Sequence, residues 1–312
     1  MSLNEMFFGE ETPPDGVAIL DFSQIIMAAA FVEFGEAAKF PKISENMLRH
    51  LVLNSIKYNK KLAAKHGYTN LVIAVDNSTS GYWRRDVASY YKRNRKNDRD
   101  ISPFDWTGLF EAMHKIVFEL ETNMPYTLMN LDKVEADDHI AVIVKLCNDK
   151  NIPVLIVSSD GDFTQLHKYP NVKQWSPMFK KWVKPKISPL MDTVVKVVKG
   201  DKKDNVASIK VRGDFHTSKV EGERQPSIKS SLLDLIADNY FDDSTIEQLL
   251  TSEEWVRYKE NRILIDMDYI DEDISALILK RYNSYVPAKR NKIYSYLVKN
   301  GLSKLTQHAN DF

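Results

Sequence analysis

The chain has 312 residues, of which 43% are hydrophobic, so it can bury a sizeable core and has room for more than one lobe. Lys plus Arg and Asp plus Glu both number 43, so the net charge favours no class of partner. Three absences exclude other classes: no apolar run reaches membrane-spanning length, the acidic N-terminus lacks the basic stretch of a signal peptide, and the single Cys147 cannot form an intramolecular disulfide. These features predict a protein of the reducing cytoplasm.

Four short apolar runs in the first half of the chain predict β-strands. Helical stretches separate these runs, which extend from Gly16 to Phe22, Asn70 to Asp76, Tyr126 to Asp132 and Ile152 to Ser159. Such an alternation predicts an α/β fold with a buried parallel sheet. Sites in open parallel sheets lie at the carboxyl ends of the strands, and we expect Asp21, Asp76 and Asp160 there.

Apolar and polar residues at helical spacing predict four helices around these strands. They cover residues 48–66, 80–100, 106–121 and 135–148, with Pro103 between the second and the third. Beyond about Pro189 the chain is charged, rich in Lys and without alternating strand patterns, so we expect a second, helical lobe there.

Acidic residues follow the predicted strands or begin the predicted helices over the first two thirds of the chain. They are Asp21, Asp76, Glu135, Asp137, Asp138, Asp160, Asp162, Asp201 and Asp204. Carboxylates that converge repel one another unless cations neutralise them. Oxygen ligands without Cys or His at ligand spacing favour Mg²⁺ or Mn²⁺ over zinc, and a two-metal carboxylate site is typical of phosphodiester hydrolysis.

Basic residues are concentrated in two segments, although the chain as a whole is neutral. Residues 80–100 hold seven basic and three acidic side chains, and residues 179–229 hold thirteen basic and six acidic ones. Basic segments beside a cation-filled acidic site favour a polyanion as partner. Each acidic motif alone also fits a turn or a helix cap, so only their occurrence together favours a site.

The ordered acidic motifs resemble those of the 5′ nucleases, which include flap endonucleases, phage 5′-exonucleases and the 5′-nuclease domains of bacterial DNA polymerases. The matching segments are ILDF around Asp21, VDN around Asp76, EADD at 135–138, SSDGDF at 158–163 and GDKKDN at 200–205. Within that family, SGYWRRD and KGDKKDNVAS are most similar to the RNase H of T-even-type bacteriophages.

The resemblance implies a PIN-like parallel-sheet core over residues 1–189, with a helical arch at about 80–122. It also implies a smaller all-helical C-terminal domain over residues 190–312, which would carry a helix–three-turn–helix-like motif for duplex DNA. The segment after GDKKDN is longer than the glycine-rich hairpin of the family, and this departure leaves open whether a monovalent-cation site exists.

The resemblance also implies roles for individual residues. Asp21, Asp76, Glu135 and Asp137 would surround a first Mg²⁺, and Asp160, Asp162, Asp201 and Asp204 a second, with Asp137 or Asp138 near both. Lys92 would contact the scissile phosphate, helped by Arg84 or Arg85, and Asp138 is a further catalytic candidate. Candidates for nucleic-acid contacts are Tyr82, Tyr91, Arg93, Arg95, Lys202, Lys203, Lys210 and Arg212.

The function that the resemblance implies is a Mg²⁺-dependent 5′→3′ exonuclease with RNase H and flap endonuclease activity. Its substrates would be RNA–DNA hybrids and flap or forked duplex DNA, from which a monomer removes RNA primers of lagging-strand fragments during phage DNA replication. Mn²⁺ would substitute for Mg²⁺.

Two protein partners are also expected from resemblance. The N-terminal peptide is similar to tails that bind sliding clamps, through Leu3, Met6, Phe7 and Phe8. It also fits a segment that packs on its own core. The C-terminal domain is expected to bind a single-strand-binding protein.

Three other functions fit parts of the sequence. Asp160-Gly-Asp162-Phe-Thr164 matches the nucleophile motif of haloacid-dehalogenase phosphatases, in which Asp160 would form a phosphoenzyme. That alternative leaves the other carboxylates and the basic arch without a role. A non-catalytic branched-DNA-binding protein would gain nothing from so many carboxylates beside a phosphate backbone. A PIN-type single-strand ribonuclease would have a shorter chain without the GDKKDN-bearing lobe.

Overall fold

The computed structural model describes residues 15–36, 42–218 and 220–312. Its sheet has six strands in the order β3-β2-β1-β4-β5-β6. The strands are β1 (Gly16–Asp21), β2 (Tyr68–Ala74), β3 (Thr127–Met129), β4 (Val154–Val157), β5 (Val172–Ser176) and β6 (Lys181–Trp182). The first five strands run parallel and β6 pairs antiparallel with β5, so the predicted parallel sheet is confirmed.

Helices cover both faces of this sheet and build the rest of the described chain. Those in the first half are α1 (Phe22–Phe34), α2 (Glu45–Lys65), α3 (Arg84–Val87), α4 (Asn94–Asp100), α5 (Trp106–Asn123) and α6 (Ala136–Asp149). Those in the second half are α7 (Pro189–Lys199), α8 (Ser230–Asp238), α9 (Asp243–Leu249), α10 (Ser252–Ile265), α11 (Glu272–Ser284), α12 (Lys292–Lys299) and α13 (Ser303–Thr306). Short 3₁₀ helices cover Gly161–Lys168, Lys202–Asp204, Met267–Tyr269 and Ala309–Asp311. None of the described helices is long and apolar enough to cross a membrane.

The central strands are apolar on both faces because helices cover both. On β1, Ala18 and Leu20 pack into a core with α1, α2 and α5, whereas Val17 and Ile19 pack into a second core with α6. This continuous burial is the reason that the strands read as uninterrupted apolar runs.

The second half of the chain contributes to four hydrophobic clusters of the described residues. Helices α7 to α10 enclose a cluster of their own. By contrast, Ile278 of α11 packs into the core that contains α6, and Ile293 and Leu297 of α12 pack into the core that contains α2 and α5. After α7 to α10, the chain therefore returns to the two cores that flank the sheet. A domain boundary at Pro189 stays a prediction.

The predicted helix over residues 80–100 is wrong. The structure has the two short helices α3 and α4, separated by a turn in which Lys92 has the left-handed backbone angle φ of 53°. The N–H group of Lys92 donates to the carbonyl of Asp204 at 2.9 Å, and that of Asn94 donates to Asn205 Oδ1 at 3.0 Å. Tertiary partners thus replace the bonds of a continuous helix, and Lys92 and Arg95 do not lie on one helix.

Candidate metal and nucleic-acid site

Three aspartates lie at one edge of the sheet because the strands that precede them are parallel neighbours. Asp21 ends β1, Asp76 follows β2 and Asp160 follows β4, and β1 pairs with both β2 and β4. All three line a groove of about 690 Å³. The groove also receives Asp137, Asp162 and Asp204, so it gathers six of the nine predicted carboxylates.

Asp21 is buried at the centre of this edge. It accepts hydrogen bonds from Ser158 Oγ at 3.0 Å and from the backbone N–H of Gln24 at 3.2 Å, and it thereby caps α1. Burial, together with the charge of Asp76, raises the pKa of Asp21 to about 7. The site therefore has a deficit of positive charge here, which a divalent cation would correct.

Asp76 and Asp137 meet at the first turn of α6. Asp76 accepts a hydrogen bond of 2.9 Å from the backbone N–H of Ala136. Burial raises the pKa of Asp137 well above its ordinary value, and the charges of Asp76 and Glu135 add to this while Lys92 opposes it. A buried carboxyl group that resists ionisation beside other carboxylates is typical of a cation site.

A second group of carboxylates lies beside the first. One oxygen each of Asp162, Asp201 and Asp204 lies within 4.8 Å of the others. All the donors are oxygens, which is the ligand set of hard cations such as Mg²⁺ and Mn²⁺. These residues fit the predicted metal, and Asp137 lines the same small cavity as all three.

Lys196 and Lys203 reach into the acidic groups, and sequence reasoning assigned neither to a metal site. Lys196 Nζ contacts Asp162 and lies 3.0 Å from Asp201 Oδ2. Lys203 Nζ donates to Asp160 Oδ2 at 2.8 Å. Lys196 lies in the last turn of α7, where basic residues are common because they interact favourably with the helix dipole. Its position in the sequence therefore did not indicate a role in the site.

Glu135 and Asp138 are buried away from the groove, in a cluster with two cations. Arg84 pairs with Glu135 Oε2 and with Asp138 Oδ1, each at 2.7 Å, and Trp83 Nε1 donates to Asp138 Oδ2 at 2.9 Å. Asp138 also accepts from the backbone N–H of Glu135 at 3.1 Å, which completes the cap of α6. The oxygens of Asp138 therefore already have partners.

Lys92 connects this buried cluster to the groove. It is only 5% exposed, yet it contacts Glu135, lies 3.7 Å from Asp204 Oδ2 and lines the groove. Burial alone would lower the pKa of Lys92, but the charges of Glu135 and Asp204 outweigh it and hold that pKa well above its usual value. A fully charged ammonium group is thus fixed beside the carboxylates.

The predicted nucleic-acid contacts fall into three sets. Tyr82, Arg95 and Lys203 line the groove, and Arg95 also pairs with Asp204 at 2.6 Å. Arg85, a catalytic candidate, lines the same groove. Arg93 and Lys202 are exposed on the surface.

The third set is engaged in internal contacts. Tyr91 is buried with its hydroxyl 3.3 Å from Glu135, Lys210 pairs with Glu254 at 2.6 Å, and Arg212 pairs with Asp214 and Glu223. Leu3, Met6, Phe7 and Phe8 lie outside the described residues.

Comparison with known proteins identifies the family from this chain's sequence. Residues 17–197 match the family model of the 5′-3′ exonuclease N-terminal resolvase-like domain. The chain belongs to the 5′-3′ exonuclease family. Residues 187–312 match the model of the C-terminal part of T4 RNase H. The chain is 55% identical to the ribonuclease H of Enterobacteria phage T4 over 304 residues, which is 97% of this chain and 98% of that protein.

Solved structures share the fold at low identity. A zinc-bound 5′-exonuclease of bacteriophage T5 superposes with a TM-score of 0.58 at 16% identity, over 86% of this chain and 99% of that one. A T5 flap endonuclease in a product complex with DNA and metal ions gives a TM-score of 0.57 at 18% identity, over 86% of this chain and 100% of that one. The predicted PIN-like fold and the predicted enzyme class are confirmed.

The contacts of Asp138 distinguish it from the carboxylates in the groove. Asp138→Asn should lower the free energy of unfolding by about 3 kcal/mol because it leaves Arg84 incompletely paired. The Mn²⁺ affinity of this variant should stay within a factor of about two of the wild-type value. Asp162→Asn should weaken Mn²⁺ binding at least about tenfold, since the small acidic group loses the negative charge of one of its three carboxylates.

Urea unfolding without metal and calorimetric titration with Mn²⁺ measure the two effects separately. A large loss of Mn²⁺ affinity in Asp138→Asn, at unchanged stability, would contradict this division of roles.

Proposed function

We propose that the chain is a Mg²⁺-dependent 5′ nuclease that hydrolyses phosphodiesters in RNA–DNA hybrids and in flap or forked duplex DNA. The observation that carries this proposal is the groove, in which six carboxylates and the charged Lys92 lie together. Carboxylates alone would repel a phosphate backbone, so their presence beside Lys92 and Arg95 supports a site that cations complete.

The residues divide the work of such a site. Asp21, Asp76 and Asp137 would hold one cation, and Asp162, Asp201 and Asp204 another, with Asp160 near the second group. Bound divalent cations supply Lewis acidity towards phosphoryl oxygens and lower the pKa of coordinated water. Glu135 contacts both Arg84 and Lys92. It would position these two basic side chains instead of binding a metal directly.

Lys92 would stabilise the charge that develops on the non-bridging phosphate oxygens. Its ammonium group is prepositioned by Glu135 and Asp204 and needs no reorganisation during the reaction. Arg85 and Arg95, which line the same groove, would bind the strand backbone, whereas the buried Arg84 would act through Glu135 and Asp138.

The substrate follows from the relatives together with the groove. The T4 relative is named a ribonuclease H, and a T5 structure holds DNA with a flap endonuclease. We assign this chain the removal of RNA primers from lagging-strand fragments in phage DNA replication, as a monomer in the cytoplasm of the host cell. The C-terminal lobe would contact duplex DNA downstream and a single-strand-binding protein, and a pull-down with the full chain tests the latter.

Cleavage assays test the function directly. A 5′-labelled RNA–DNA hybrid and a 5′-flap duplex should yield short 5′ products with Mg²⁺ and none with EDTA. Asp160→Asn and Asp201→Asn should reduce the rate at least about 100-fold while DNA still binds, because removing a carboxylate weakens the cation site. Tight binding without any products in wild type would favour a branched-DNA-binding protein, and a phosphoenzyme on Asp160 would favour a phosphatase.

Lys92 gives a sharper test of the reaction itself. Lys92→Ala should lower kcat by about 100-fold or more with a smaller change in KM, because the charge that it meets develops in the transition state. Lys96→Ala is the matched control, since Lys96 is exposed on α4 and does not line the groove. A change in KM alone for Lys92→Ala would contradict the proposed role.

The N-terminal peptide would bind a sliding clamp. A chain that lacks residues 1–8 should lose stimulation by the clamp and keep its basal cleavage rate. Equal stimulation of the full and the shortened chain would rule out this contact.

A further inference from the structure

Part of the groove lining is made of apolar side chains. It consists of Ile26 and Met27 from α1 and Phe110 and Met113 from α5. The cations that line the same groove are Arg85, Lys92, Arg95, Arg99 and Lys203. A cavity that combines apolar side chains with several cations suits a ligand that has both flat apolar groups and regularly spaced negative charges.

Phe110 is placed to contact such a flat group. Its neighbours Leu109 and Ala112 are buried in the core, whereas Phe110 is half-buried and turned towards the groove. Trp106 stacks near it, with ring centroids 6.1 Å apart and an interplanar angle of 26°. Met113 lies three residues further along α5, on the same face.

Arg99 joins the apolar and the charged parts of the lining. Its guanidinium carbon lies 5.4 Å from the centre of the Phe110 ring, and Arg99 itself lines the groove. The guanidinium group can therefore meet a phosphate while the ring meets the base of the same or the next nucleotide. Stacking on aromatic rings beside cations is how proteins hold single strands without regard to sequence.

We propose that Phe110, with Met113 and Met27 beside it, forms the wall that contacts the bases of unpaired nucleotides in the cleaved strand. This inference rests on the proposed nuclease function and names the residues that hold the strand for it. Bases in a duplex are stacked on each other and cannot present a face to Phe110, so the contact selects unpaired nucleotides. Apolar side chains offer no hydrogen bonds that read base edges, so every base is accepted.

A substrate without bases tests the contact. Two 5′-flap duplexes are compared, one with ordinary nucleotides and one with abasic residues in the unpaired positions next to the junction. Wild type should cut the abasic flap at least about fivefold less efficiently, measured as kcat/KM. Phe110→Ala should cut the ordinary flap only as efficiently as wild type cuts the abasic one, and should no longer distinguish the two substrates. Phe110→Tyr should retain the wild-type difference.

Phe118→Ala is the matched control, because Phe118 lies on the same helix, is 65% exposed and does not line the groove. It should leave the difference between the two flaps unchanged. If Phe110→Ala does not fold, as judged by circular dichroism, Phe110→Leu keeps the apolar bulk and should still lose the difference.

The two proposals can fail separately. Equal cleavage of both flaps by wild type, or an undiminished difference in folded Phe110→Ala or Phe110→Leu, would overturn the base-contacting role while the nuclease stands. Absence of cleavage of the ordinary flap by wild type would overturn the nuclease function itself.

Discussion

The buried contacts of Arg84 and Lys92 with Glu135 and Asp138 fix the groove in its shape. Each of these four residues is at most 5% exposed. Neither the cations nor the carboxylates could be buried alone, because an unpaired charge inside a protein costs several kcal/mol. The segment that runs from α3 into α4, residues 84–95, is thereby held against the start of α6. Since the same segment carries Arg85 and Arg95, the electrostatics of the groove follow from an interaction that lies beneath it.

Several acidic residues of the site also start an element of secondary structure. Asp21 caps α1, Glu135 caps α6, Asp160 caps the 3₁₀ helix that begins at Gly161, and Asp201 caps the one that begins at Lys202. Backbone N–H groups therefore provide part of the positive potential that converging carboxylates need. In the sequence, each acidic motif fitted either a helix cap or a cation site. The two roles do not exclude each other, because one side chain can cap a helix and also face the site.

The strands, the parallel sheet and the edge at which the aspartates meet were predictable, since burial on both faces produces runs that are easily recognised. Choices between adjacent residues were not. Arg84 is buried, whereas the adjacent Arg85 lines the groove, and Asp138 is buried, whereas the adjacent Asp137 lines the groove. Adjacent residues of one type look alike in a sequence motif, so the sequence could not tell them apart. The turn at Lys92 depends on Asp204 and Asn205, more than 100 positions away. Lys210 likewise pairs with Glu254, a contact that the basic composition of its segment could not indicate.

The return of the chain to the sheet has a consequence for how the protein is made. Tyr296 donates a hydrogen bond to Glu119, and Arg281 pairs with Glu121, which lies 160 positions earlier. A nascent chain that has not yet reached α11 and α12 leaves apolar surface of α5 and α6 open to water. Contacts between residues so distant in sequence slow folding, so aggregation-prone intermediates persist for longer. During synthesis, the two cores that contain α5 and α6 should therefore be completed only after the last helices have left the ribosome.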